Sequence, residues 1–165
     1  MTLIVPVRSA SGFALAMAAS LLSGQARAQD SSPWIRDTYS AVRLIAGSRS
    51  GNVLLGGIGF QLEPGWKTYW RTPGDSGVPP RIDFSKSENV DTVTILWPAP
   101  AKFADGAGGT SFGYQKQVLL PLRIVAKSPD KPVTLRASIN YAVCEKLCIP
   151  VEAETELAFR SVAST

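Results

Sequence analysis

Three features predict an all-β chain folded as an immunoglobulin-like antiparallel β-sandwich. Apolar and polar residues alternate with period two, Pro/Gly-rich turns separate the runs, and no helical period follows residue 28. The leading 28 residues read as a secretory signal peptide. Arg8 supplies its charge, Gly12 to Leu22 its short apolar stretch, and Ala26-Arg27-Ala28 a small-x-small cleavage site. The folded domain is then expected at 29–165, a length that suits one core rather than two.

The first expected strand carries Ile58, Phe60 and Leu62 alternating with Gly57, Gly59 and Gln61. Pro64-Gly65 turns the chain into a second, with Trp66, Thr68 and Trp70 on one face. A Pro/Gly loop from Thr72 to Pro80 leads to a short strand at Ile82 and Phe84, and another carries Val93, Ile95 and Trp97 until Pro98 and Pro100 end it. Ala101 to Gly113, with its glycines, is expected to be a loop, followed by the apolar strand Val118 to Val125. After the turn at Ser128 to Pro132, Val133, Leu135, Ala137, Ile139, Tyr141 and Val143 alternate with polar or small residues. Val151, Ala153, Thr155, Leu157 and Phe159 do the same on the return, so the two runs predict an antiparallel hairpin. The end after Phe159 is expected to fray.

Composition excludes several functions. The formal charge is +4, and Arg8 and Arg27 leave with the signal peptide, so the remaining chain is nearly neutral with scattered basic residues. That gives nucleic-acid binding little electrostatic support. The sequence holds no histidine, which removes Cys/His zinc sites, histidine general-base catalysis and the Cys-His nucleophile pair.

Cys144 and Cys148, in Cys-Glu-Lys-Leu-Cys at the tip of the expected hairpin, are the only cysteines. In the chain-entropy estimate so small a ring stabilises a fold by only about 2 kcal/mol, against about 3 for a fifteen-residue loop. The pair is therefore better placed for redox chemistry than for stapling. The tip permits Cα atoms within the roughly 4.4–6.8 Å typical of disulfides. No helix N-terminus lowers either pKa, only Lys146 offers nearby positive charge and Glu145 opposes it, so thiols near the free value of about 8.5 are expected. Such a pair suits passing electrons to partner disulfides. A non-enzymatic binding or chaperone-like module whose disulfide is merely structural, and a copper-handling protein with Cu(I) on the two thiolates, are the alternatives, the second a meagre site without histidine. Trp66, Tyr69, Trp70, Trp97, Phe112 and Tyr114 suit strand packing. Phe112 and Tyr114 have a sharper reading: on a mobile Gly-rich loop they would lie over the thiols and shield them until a partner docks.

Gly65-Trp-Lys-Thr-Tyr-Trp-Arg, Leu96-Trp-Pro-Ala-Pro, Gly113-Tyr114, Val118-Leu-Leu-Pro-Leu and Tyr141-Ala-Val-Cys-Glu-Lys-Leu-Cys-Ile-Pro resemble the N-terminal periplasmic domain of the thiol:disulfide interchange reductase DsbD, notably its stand-alone and copper-tolerance-associated relatives. The resemblance implies an immunoglobulin-like periplasmic domain with no organic cofactor, no metal and no small-molecule substrate. A membrane-embedded thiol reductase would supply electrons through a thioredoxin-like module. Periplasmic thioredoxin-like proteins, including those of cytochrome c maturation, and disulfide isomerases would receive them. It assigns Cys148 to the mixed disulfide and Cys144 to its resolution, Tyr69 to an aromatic beside the site, and Asp105 to an acidic residue of a cap loop. Two departures stand out. The family's better-known members have a longer interval between the cysteines, and their cap aromatic falls by spacing at Ala107, so that shielding is either absent or passed to Phe112.

Overall fold

The computed structural model describes residues 30–106 and 108–159. The expected signal peptide, Ala107 and the end after Phe159 lie outside the described residues. Eleven strands form among the described residues: β1 (Ile35–Arg36), β2 (Ser40–Ser50), β3 (Val53–Leu62), β4 (Lys67–Gly74), β5 (Arg81–Asp83), β6 (Val90–Ile95), β7 (Ala101–Ala104), β8 (Thr110–Gln115), β9 (Gln117–Ala126), β10 (Val133–Cys144) and β11 (Cys148–Phe159). One sheet has the order β1-β2-β3-β9-β6, the other β11-β10-β4-β8-β7 with β5 also on β10, and the ladders are antiparallel. The expected all-β, immunoglobulin-like sandwich is what forms. Among the described residues no helix is long and apolar enough to cross a membrane.

Alternation builds the core directly. Val42 and Leu44 of β2, Leu54, Ile58 and Phe60 of β3, and Leu120, Leu122 and Ile124 of β9 face Val133, Leu135, Ile139, Tyr141 and Val143 of β10. Each aliphatic side chain so buried stabilises the sandwich by about 2 kcal/mol. β10 and β11 pair without interruption over twelve positions, from Val133↔Phe159 to Cys144↔Cys148. The hairpin expected from sequence thus anchors one end in the core and delivers the cysteines at the other.

Two segments differ from expectation. β1 and β2 lie upstream of the first expected strand, because Ala41, Ala46 and Gly47 dilute the apolar signal of β2. The expected loop at 101–113 is largely a hairpin, β7 paired with β8, and among the described residues only Asp105, Gly106, Gly108 and Gly109 lie between the two strands. Gly113 there marks close approach rather than a turn. A Cβ added to it would lie 2.0 Å from the Thr68 carbonyl oxygen, so only glycine lets β8 run so close to β4.

Candidate redox site

Cys144 closes β10, Cys148 opens β11, and Glu145–Leu147 turn between them, with the Glu145 N–H donating to the Leu147 carbonyl at 3.2 Å. The two sulfurs are joined in a disulfide, and the Cα atoms are 4.1 Å apart. That is a little closer than the expected window, because the residues are direct cross-strand partners, and such pairs approach to about 4.5 Å in antiparallel ladders. The two halves of the bond differ in access. Cys144 is 2% exposed, whereas Cys148 is exposed.

Cross-strand register explains what covers Cys144. Val143 pairs with Thr68 and Cys144 with Lys67; paired residues share a face, so Cys144 and Lys67 point outward while Val143 lies in the core. Tyr69, two positions on from Lys67, shares that outer face and packs with Ala142 and Cys144 in a small cluster of its own. Its hydroxyl lies 3.5 Å from Cys148 Sγ. A disulfide sulfur carries no proton, so Tyr69 is the donor. Burial, then the charge of Asp105, raises the Tyr69 pKa, which keeps that proton in place at neutral pH.

Beside this cluster the Lys67 ammonium donates to Ser111 Oγ at 3.0 Å and pairs with Asp105 Oδ1 at 3.4 Å. Ser111 also donates to Asp105 at 3.0 Å, and Ser76 donates to its other oxygen. The Ser76 hydrogen bond foremost, with those from Ser111 and Lys67 and the Lys67 charge, holds the Asp105 carboxyl below its usual range despite partial desolvation. The Lys67 ammonium also sits 5.8 Å from the centre of the Tyr69 ring and 5.1 Å from that of Phe103. Asp105 therefore ties the β7–β8 tip down to β4 and to the loop after it.

The structure brings Cys144, Cys148 and Tyr69 into contact and joins Asp105 to them through Lys67. It does not place Phe112 and Tyr114 over the thiols. Tyr114 pairs with Thr68 on the core face, is buried, and donates to the Pro98 carbonyl at 2.8 Å. Burial pushes its pKa up to about 12. Phe112 alternates onto the same face of β8 as Tyr114, away from the disulfide. A strand rather than a free loop carries both, which corrects the shielding expected of them. Sequence reasoning missed Lys67, Ser76, Phe103 and Ser111, and it named Lys146 as the nearby cation, although Lys67 is the register partner of Cys144. Among the described residues no group of three or more His, Cys, Asp or Glu side chains is arranged to hold a metal ion.

Residues 38–160 match the family model described as Thiol:disulfide interchange protein DsbD, N-terminal. The chain belongs to this family. Among solved structures, the N-terminal periplasmic domain of ScsB from Proteus mirabilis is 30% identical with a TM-score of 0.66, over 78% of this chain and 51% of that one. The chain thus spans about half the length of that relative. The DsbD N-terminal domain of Neisseria meningitidis, in its reduced form, aligns at 13% identity and a TM-score of 0.43, over 68% of this chain and 81% of its own. The GAE domain of yeast GGA1 aligns at 10% and 0.45, over 74% and 95%. No curated protein matches the chain.

Proposed function

We propose that this chain is a periplasmic thiol–disulfide exchange domain, exported by its leader, whose Cys144–Cys148 pair relays electrons from a membrane-embedded thiol reductase to thioredoxin-like proteins and disulfide isomerases. The observation that carries this reading is the asymmetry of the pair: one cysteine exposed at a hairpin tip, the other buried behind Tyr69. An inert staple needs no exposed end. Membership of the DsbD N-terminal family and the periplasmic ScsB relative support it further.

The steps balance as two-electron exchanges. A donor thiolate attacks Cys148 Sγ, Cys144 leaves as thiolate and takes a proton, and a second donor thiol displaces Cys148, so the donor ends oxidised and the pair reduced. Onward, the Cys148 thiolate attacks a partner disulfide and one partner sulfur departs as thiolate. Cys144 then attacks Cys148 Sγ, which restores the domain's disulfide and releases the partner as a dithiol. Tyr69 donates to the Cys148 sulfur throughout, and Asp105 with Lys67 holds Tyr69's surroundings in place.

The deciding experiment combines a potential with a trap. Equilibration against glutathione should give a reduction potential in the range of thioredoxin-like carriers, roughly −270 to −120 mV. The Cys144→Ser variant, expressed in the native envelope, should accumulate mixed disulfides that reductant dissolves. A potential below about −300 mV together with no reductant-sensitive adduct would overturn the exchange reading in favour of a structural disulfide.

A further inference from the structure

The outer face of the second sheet continues away from the disulfide as an ordered series of rungs. Cys144 pairs with Cys148, Ala142 with Pro150, and Asn140 with Glu152 on one side and Arg81 on the other. Side chains on one face of a strand recur about every 6.8 Å. A groove of about 370 Å³ follows these rungs from Cys148 to Arg81 and Glu152. Val78 and Pro79 form its wall, and Val78 is 48% exposed.

That wall is set before any partner arrives. Asp75 exchanges two hydrogen bonds with Thr110, through its N–H at 2.9 Å and its carboxylate at 2.8 Å, and Ser76 donates to Asp105. Gly77 lies so close to Tyr69 that an added Cβ would sit 2.8 Å from the ring. Pro79 and Pro150 have no N–H to offer, so the second rung is apolar, whereas Arg81, Asn140 and Glu152 make the third polar.

Resting on the exchange reading above, we propose that this groove reads an extended segment of the partner polypeptide on one side of its reactive cysteine. The segment carries an apolar side chain two positions from the cysteine and a polar one two positions further. An extended chain repeats at the same spacing as the rungs, so a cysteine bonded to Cys148 sets its second neighbour over Ala142 and Pro150, against Val78. A partner cannot bond Cys148 without its flanking residues entering this groove or leaving it empty. A small disulfide would occupy the first rung alone.

Peptides activated as thiopyridyl disulfides test this on the Cys144→Ser chain. The Cys148 thiolate attacks the peptide sulfur, the Cys148–peptide bond forms, and 2-thiopyridone leaves and reports the rate. Peptides with leucine at the second position on either side of the cysteine are compared with aspartate versions and with activated 2-mercaptoethanol. One of the two leucine peptides should react about tenfold faster than its aspartate counterpart. Val78→Ser should collapse that ratio towards one, while Leu119→Ser, an exposed residue of the opposite sheet, should leave it intact. Equal rates for all peptides, with exchange still proceeding, would overturn the groove assignment alone. No reaction with any reagent, activated 2-mercaptoethanol included, would bring down the exchange reading and this inference with it.

Discussion

The Tyr69 hydroxyl lies 3.5 Å from Cys148 Sγ, while the Tyr69 ring packs with Cys144, so one side chain touches both halves of the disulfide. Its two contacts follow from position: the side chain packs with the buried Cys144, and the hydroxyl meets the exposed Cys148.

Once Cys148 is reduced and ionised, a hydroxyl in this place would donate to a thiolate, and a hydrogen bond to a charged acceptor is stronger than one to a neutral group. Tyr69→Phe should raise the pKa of Cys148 by about one unit, which corresponds to about 1.4 kcal/mol. The rate of alkylation of Cys144→Ser against pH, with and without Tyr69→Phe, measures this directly. Coincident profiles would remove Tyr69 from the chemistry.

A ring closed by Cys144 and Cys148 constrains the unfolded chain little. Reduction should therefore cost only about 2 kcal/mol of stability and leave the sandwich folded. Urea unfolding of oxidised and reduced protein, with equal slopes and a modest midpoint shift, is the expected outcome. Collapse of the fold on reduction would identify a staple.

Asp105 gives the acid side of the stability profile a definite sign. Its carboxyl is held below the unfolded value of about 3.9, by the Ser76 hydrogen bond first. The stabilisation is therefore complete above that value and is lost as pH falls through the lower folded pKa. Asp105→Asn should flatten the pH dependence of the urea midpoint below about pH 4 and leave its slope near neutrality unchanged. A parent protein with no such acid limb would contradict the network.

Gly113→Ala should destabilise the fold by about 3 kcal/mol, because the new methyl meets the Thr68 carbonyl and forces β4 and β8 apart. Since Tyr69 pairs with Gly113, thiol reactivity should change with it. A loss below about 1 kcal/mol would mean that the two strands separate easily.

The β10–β11 hairpin was legible because its apolar and polar residues alternate over two long consecutive runs. The β7–β8 hairpin was not, since a glycine needed for close packing looks in sequence like one needed for a turn, as Gly113 shows. Cys144, Cys148, Tyr69 and Asp105 could be named from residue type and resemblance. Lys67 and Ser111 could not, because their part in the site comes from strands meeting side by side rather than from spacing along the chain. Tyr114 misled for a related reason: which face a strand residue takes is fixed by its partner, here Thr68.

The twelve-pair ladder that ends at Cys144 and Cys148 is rooted in the interior of the sandwich from Val133 onward. Its pairing is uninterrupted from that root to the tip. On the exchange reading proposed above, a partner would tell a loaded carrier from an empty one by touch at the hairpin tip, so that discrimination between the two forms would fall to the visitor.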